Sequence, residues 1–197
     1  MSFYKVAITQ EMVSRALKRA QLLQNYPKNF KQHIQEEGDG ELTAKVDGIL
    51  GEMIAEHWLT KHNFTFEDCR DEFSHDYLVE GQIKLEIKTK RRTVAPRINY
   101  EATVPQYVHD IQKPTAYLFV SLRLTKGRDD DFSRYTEGYI VGGISRSKFD
   151  KIKRSLHKGQ HDASNNWDCS EACYNVYISQ LFTSNDYALK FNEHLKG

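Results

Sequence analysis

The stretch from Phe73 to Arg92, FSHDYLVEGQIKLEIKTKRR, constrains the fold of this chain more than any other. Within it Ile83, Leu85 and Ile87 alternate with charged residues, and a period of two is typical of a half-buried strand. The residues before Gly81 are also β-prone, and the glycine marks a turn. The stretch therefore predicts a β-hairpin.

The register of this hairpin follows from matching the apolar residues of its two strands. A three-residue loop, 80–82, places Val79 opposite Ile83. It also places Tyr77 opposite Leu85, so that the apolar side chains share one face. A loop of two residues would turn one strand over, because successive side chains point to opposite faces. We therefore expect the three-residue loop.

The other face of the hairpin carries Asp76, Glu86 and Lys88, with Asp76 opposite Glu86. Two carboxylates side by side repel each other unless a cation lies between them, so the pair is either a metal site or a pair with shifted pKa values. Oxygen ligands of this kind suit Mg²⁺, for which Mn²⁺ can substitute. Lys88 would then polarise a water for phosphodiester hydrolysis. The alternative is a solvated face with ordinary Glu–Lys pairs.

Composition sets the limits of the fold and of its partners. The chain has 197 residues and a formal net charge of +1. This length predicts one domain, 1–197, with a core at about 43–125, a preceding helix at 10–24 and a C-terminal α/β part at 136–195. The small net charge means that nucleic-acid binding would need local basic patches. Two patches are present: Lys84, Lys88, Lys90, Arg91 and Arg92, and Lys148, Lys151, Lys153 and Arg154.

The cysteines and the apolar runs bear on location. The three cysteines are an odd number, and no secretory signal is recognised. This combination favours a reducing, intracellular location, which we take to be the cytoplasm. No apolar run is long enough to span a membrane, so no membrane association is expected.

The remaining pattern alternates helices and strands. Helices are predicted at 10–24, 43–62, 101–112, 145–157 and 184–195, and further strands at 63–68, 115–124, 136–144 and 174–179. The run at 115–124 is almost continuously apolar, which is typical of a central buried strand. We therefore expect an α/β fold in which a mixed central sheet is flanked by helices.

The helix at 43–62 has an apolar stripe and a second face of small residues that includes Gly48 and Gly51. Glycine in a helix costs about 1 kcal/mol relative to alanine, so the two glycines indicate close packing against another element. Glu52 lies at the edge of this face, where it would reach the end of the sheet, and we prefer it to Glu56. The alternative is an exposed helical glutamate.

A second candidate metal site lies near the C-terminus, where His157 and His161 are followed by Cys169 and Cys173. Two histidines and two cysteines can hold a structural Zn²⁺. The cysteines are spaced more widely than in most zinc knuckles, and an ordinary loop is the alternative interpretation.

The order of these features resembles the PD-(D/E)XK nuclease superfamily, which has the restriction-endonuclease-like αβββαβ core. The matching residues are Gly51-Glu52 on the helix, His75-Asp76, and Glu86-Ile87-Lys88 on the next strand. The resemblance covers about 43–125, and His75 stands where the family's proline would be. The short motif gains its specificity from this helix and strand context.

The resemblance implies a Mg²⁺-dependent nuclease and a role for each matching position. Asp76, Glu86 and the carbonyl of Ile87 would ligate the metal, and Glu52 would assist through a second ion or a bridging water. Lys88 would assist the nucleophilic water. Contacts to the DNA backbone would come from basic residues beside the site, namely Lys84, Lys90, Arg91 and Arg92.

Three functions remain open at this point. The first is a metal-dependent deoxyribonuclease, with DNA as its partner and a homodimer as a possible assembly. The second is a nucleic-acid-binding module that keeps the fold without the chemistry. The third is a hydrolase that acts on a small phosphate compound.

Overall fold

The computed structural model describes residues 3–23, 39–70, 74–162 and 167–194. Within these ranges the helices are α1 (Gln10–Leu23), α2 (Asp39–Lys61), α3 (Gln106–Ile111), α4 (Arg146–Ile152) and α5 (Ser184–His194). The strands are β1 (Tyr4–Ala7), β2 (Phe66–Asp68), β3 (Tyr77–Val79), β4 (Ile83–Arg92), β5 (Glu101–Pro105), β6 (Ala116–Leu124), β7 (Tyr135–Ser145), β8 (Arg154–Leu156), β9 (His161–Asp162), β10 (Trp167–Asp168) and β11 (Cys173–Tyr177).

A mixed six-stranded sheet, in the order β1-β7-β6-β4-β3-β2, forms the centre of the molecule. Strands β4 and β6 are parallel, whereas the other neighbouring pairs are antiparallel. Every residue of β6 except Arg123 is buried, because both faces of this strand are covered. The expected α/β fold with a mixed central sheet, and the expected central strand at 115–124, are therefore confirmed.

Helices cover one face of the central sheet. Helix α2 lies between α1 and the sheet, and the apolar side chains of Ile83, Leu85 and Ile87 on β4 belong to the same core as those of the helices. A Cβ added at Gly51 would overlap the side chain of Thr89, so this glycine allows α2 to approach β4 closely. Gly48 has open space around it, so only one of the two glycines serves the close packing that we expected.

A second, three-stranded sheet, in the order β5-β11-β8, packs near the other face. It shares a separate apolar core with residues of β6 and β7 that point away from the helices, such as Tyr117, Phe119 and Val141. The charged face of β4 therefore points toward a second layer of structure.

The structure corrects two of the expected helices. The helix expected at 101–112 is the strand β5 followed by the short α3, because 101–105 pairs along its whole length with β11. The helix expected at 145–157 ends at Ile152, and β8 follows it. In both places the pairing partner is the distant β11, which local periodicity does not reveal.

Among the described residues, no helix combines the length and the apolar character that crossing a membrane requires.

Candidate active site at the start of strand β4

The hairpin has the register that the sequence predicts. Val79 lies opposite Ile83 and Tyr77 lies opposite Leu85. The loop between the strands contains Gly81 at φ +65°, a left-handed conformation that glycine adopts without strain. The hairpin therefore brings the segment before Tyr77 against β4.

Asp76 is fixed to β4 by two hydrogen bonds, one from its backbone and one to its side chain. Its own N–H donates to the carbonyl of Leu85 (3.0 Å), and its Oδ2 accepts from the N–H of Ile87 (2.6 Å). The N–H and C=O of one strand residue point to the same side, so the carbonyl of Ile87 projects toward the edge where Asp76 lies. Asp76, Glu86 and the Ile87 carbonyl are thus neighbours at the point where β3 begins.

Glu86 is buried, with only 3% of its surface exposed. This corrects the expectation of a half-exposed polar face, because the second layer of structure covers this side of β4. Glu86 Oε1 accepts a hydrogen bond from Lys88 Nζ (2.6 Å). Its Oε2 has no hydrogen-bond partner among the described residues, although a buried carboxylate oxygen ordinarily has one. One side of this carboxylate is therefore available to a ligand.

The pKa values show that the two carboxylates interact. Burial and, next, the charge of Glu86 together raise the pKa of Asp76 to about 7, against the opposing effect of Lys88. Burial also raises the pKa of Glu86, whereas Lys88 lowers it. Both acids are therefore hard to ionise together without an added cation, as expected for like charges held in proximity.

Glu52 on α2 lies beside this pair. Burial raises the pKa of Glu52 to about 7, and the next largest contribution is the charge of Asp76. Its Oε2 is 3.0 Å from a guanidinium nitrogen of Arg70 and 3.9 Å from one of Arg19. Glu52 is thus part of the same electrostatic cluster, but its carboxylate is already bound by arginine.

The oxygen donors of the site fit a small divalent cation. Among the described residues, no three His, Cys, Asp or Glu side chains form a metal-binding group, so the set is limited to Asp76, Glu86 and the backbone carbonyl. Mg²⁺ is commonly bound through one or two carboxylates and keeps several waters. The unpartnered Glu86 Oε2 and the raised pKa values are what such a cation would relieve.

The basic residues of β4 do not form one surface. Lys84, Lys90 and Arg92 follow the same face as Glu86 and Lys88, because alternate residues of a strand share a face. Arg91 lies on the helix side, where its guanidinium contacts Asp47 (2.9 Å) and Asp129 (3.3 Å). The grouping of Arg91 with the other cations beside the site is therefore wrong.

A cavity of about 640 Å³ opens beside Lys88, between the central sheet and β5 and β11. Its lining includes three cations of β4, namely Lys88, Lys90 and Arg92, together with polar and aromatic groups from the other walls. Lys88 thus contacts Glu86 of the carboxylate pair and also lines the cavity.

Two residues near the site are not identified by the sequence pattern. Gln112, the residue that follows α3, lies close enough to Glu86 to lower its pKa. Arg70 contacts Glu52, Glu56 and Asp68 together. Neither belongs to a recognisable spacing, because each reaches the site through a turn of the chain whose geometry depends on the whole fold.

The candidate zinc ligands are not gathered into one group. The Sγ atoms of Cys169 and Cys173 lie 3.7 Å apart and are buried. His161 instead pairs with Asp168 at 2.7 Å, and both side chains are exposed. The described residues therefore give no zinc site in this region.

Comparisons with protein-family models, with curated proteins and with solved structures found no match to this chain. Any functional assignment therefore rests on the geometry and chemistry of the site.

Proposed function

We propose that the chain is a metal-dependent nuclease that hydrolyses phosphodiester bonds in DNA. The observation that carries this proposal is the buried Glu86, which is bonded to Lys88 through one oxygen, has no partner for the other, and lies beside a second carboxylate, Asp76. Two carboxylates and a lysine in this arrangement are expected for metal-assisted phosphoryl transfer.

The arrangement of elements supports a restriction-endonuclease-like core. In chain order α2, β2, β3, β4, α3 and β6 follow the αβββαβ sequence of that core, with the short β5 inserted before α3. The positions that resemble the PD-(D/E)XK motif fall on α2, just before β3, and on β4. These positions lie near the end of the hairpin that is opposite its loop. The proposed chemistry needs their side chains to be close together.

Asp76, Glu86 and the carbonyl of Ile87 would hold Mg²⁺, or Mn²⁺ in its place. The bound ion would supply Lewis-acid chemistry, which makes water a stronger nucleophile and shields the charge of the phosphate. Lys88 is held beside Glu86 by a 2.6 Å hydrogen bond, so its ammonium group is positioned to donate to the attacking water or to the phosphate oxygens. Glu52 would act at longer range, since Arg70 occupies one of its oxygens.

The cations beyond the site favour a nucleic-acid substrate. Lys84, Lys90 and Arg92 extend the line of Lys88 along β4, and each would contact a phosphate of the backbone. Lys84 is exposed on one side of Lys88, and Lys90 and Arg92 line the cavity on the other. A substrate that runs past the site in both directions would use all of them.

A catalytically silent DNA-binding module accounts less well for the carboxylates. The negative charge of Asp76 and Glu86 opposes binding of a polyanion, and their raised pKa values show that ionising both is unfavourable in the absence of a cation. Metal dependence separates the two functions, because a silent module would bind DNA equally well with and without a divalent ion.

The direct test is incubation of circular and linear DNA with the protein in Mg²⁺, followed by gel analysis. We expect cleavage by the wild-type protein and none above background by Glu86→Ala or Lys88→Ala, with both variants folded by circular dichroism. Circular DNA also distinguishes endonuclease from exonuclease action. If both variants cleave DNA at the wild-type rate, these residues do not belong to the site. If the protein hydrolyses a small phosphate ester and added DNA does not inhibit that reaction, a small-molecule hydrolase is favoured.

A further inference from the structure

We propose that the cavity beside Lys88 receives one unpaired nucleotide of the DNA substrate, so that the protein cuts next to a base that is bulged or rotated out of the duplex. This inference rests on the proposed function and specifies its substrate. It makes the cavity a specificity site that is separate from the carboxylate pair.

The size and position of the cavity favour a single nucleotide. Its volume of about 640 Å³ lies in the range of small-molecule sites and is far too small for a duplex. It is enclosed by the central sheet on one side and by β5 and β11 on the other. A base can enter such a space only after it leaves the stack, which costs least when the base is unpaired.

The charge of one wall matches a nucleic-acid backbone. Lys88, Lys90 and Arg92 stand at every second position of β4, which places them about 6.6 Å apart along the strand. This separation is similar to that of successive phosphates in an extended nucleic-acid strand. Because Lys88 also contacts Glu86, the phosphate bound nearest to it would be the one that is cleaved.

The other walls combine flat apolar surface with buried hydrogen-bonding groups. Tyr107 and Phe119 supply aromatic surface against which a base can pack. Glu101 and Asn175, each only 2% exposed, line the cavity. Glu101 accepts hydrogen bonds from the Asn175 amide (2.8 Å) and from Arg154, so the carboxylate holds the amide in place. A side-chain amide is one of the groups that recognise the polar edges of bases.

The test compares two duplexes that differ only in one bulged 2-aminopurine nucleotide, with binding measured in a metal-free buffer containing EDTA. We expect the wild-type protein to bind the bulged duplex at least tenfold more tightly than the paired one, and the emission of 2-aminopurine to change on binding. Thr103→Phe places a ring in the cavity, since Thr103 lines it and accepts a hydrogen bond from Lys90 (3.1 Å).

Thr103→Phe should lose the preference for the bulge, by a factor of about 5 to 150 if one base-stacking contact is removed. The control is Thr60→Phe, the same change at an exposed position of α2, which should keep the wild-type preference. If circular dichroism shows that Thr103→Phe is unfolded, Tyr107→Ala takes its place, because it removes a half-buried cavity wall without adding volume.

The outcomes separate this inference from the proposed function. A preference for the bulge that Thr103→Phe removes, without cleavage of either duplex in Mg²⁺, would keep the cavity assignment and reject the nuclease. Cleavage in Mg²⁺ with equal binding of both duplexes would keep the nuclease and overturn the cavity assignment. Binding of free deoxyadenosine monophosphate with no preference between the duplexes would also overturn it.

Discussion

Two carboxylate sites flank strand β4, and they differ in what surrounds the charge. On the helix side, Asp47 contacts Arg91 (2.9 Å) and accepts a hydrogen bond from the hydroxyl of Tyr135 (2.5 Å). At the start of the strand, Asp76 lies beside another carboxylate, Glu86, and its pKa is raised by that charge. The first site pairs opposite charges, whereas the second brings like charges together.

The difference separates a structural arrangement from one that is suited to bind a ligand. Burial raises the pKa of Asp47 to about 6, and both Tyr135 and Arg91 act against this rise. The pKa of Asp76 reaches about 7 because the charge of Glu86 adds to the effect of burial. A protein gains nothing in stability from two buried like charges, so such a pair is a candidate functional site.

The largest expected contrast is in catalysis. Asp76→Asn should lower the rate of DNA cleavage in Mg²⁺ by at least about 100-fold, because it removes a metal ligand and the charge that holds the ion. The measurement is the initial cleavage rate at saturating Mg²⁺. Asp47→Asn is the matched change on the other side of β4 and should leave the rate within a few-fold of wild type. Equal losses in both variants would show that the effect comes through folding.

The second contrast is in stability as a function of pH. The folded-state pKa of Asp76 is raised from 3.8 to about 7, so its contribution to stability is present below pH 4 and is lost as the pH rises through 7. Asp76→Asn cannot lose a proton, so without metal we expect it to be more stable than wild type at pH 8, by on the order of 1–3 kcal/mol, and to show no such gain at pH 4.

Urea denaturation of the metal-free proteins at the two pH values measures this difference. Asp47→Asn should show a smaller pH-dependent gain, because the pKa of Asp47 is raised only to about 6 and the change also removes the partner of Arg91. If the gain in stability of Asp76→Asn is the same at pH 4 and pH 8, ionisation of Asp76 does not destabilise the fold.

The packing of the helix side predicts a third contrast, within α2. Gly51→Ala should destabilise the fold by about 1–3 kcal/mol, because the added methyl group overlaps Thr89. Gly48→Ala, one turn earlier, should stabilise it by up to about 1 kcal/mol, since the site is open and alanine favours a helix. Thermal melts of the two variants test this. Destabilisation of equal size in both would contradict the close approach at Gly51.

The smallest expected effect concerns the cations. Lys84→Ala should weaken DNA binding a few-fold. It should also lower the magnitude of the slope of log K against log salt concentration by about 1, which corresponds to the loss of one phosphate contact. Arg91→Ala should leave the salt dependence unchanged, because Asp47 and Asp129 already neutralise this arginine. Binding isotherms at several salt concentrations measure both slopes. A reduced slope for Arg91→Ala would place the helix side of β4 in contact with DNA.

The parts of the fold that the sequence predicts are those in which local pattern and tertiary structure agree. The pairing of Val79 with Ile83 follows from the apolar faces of two adjacent segments, and the buried strand β6 follows from a continuous apolar run. The sequence also predicts the face on which Arg91 lies, since adjacent residues of a strand point to opposite faces. Strand alternation divides the basic run between the two faces of β4, so the run is not one patch.

Other features depend on partners that lie far along the chain. The strand β5 forms because β11 pairs with it, and Glu86 is buried because the second layer of structure covers that face of β4. The contribution of Gln112 depends on where α3 ends. In each case the deciding contact is non-local, and hydrophobic periodicity within a segment carries no information about it.

The central claim is that Asp76 and Glu86 share one divalent ion, and calorimetric titration with Mn²⁺ at pH 8 tests it most directly. We expect the wild-type protein to bind Mn²⁺ in this site, and binding to be lost in both Asp76→Asn and Glu86→Gln but retained in Asp47→Asn. Binding that is unchanged in Asp76→Asn and Glu86→Gln, while the protein still cleaves DNA in a metal-dependent way, would contradict the claim.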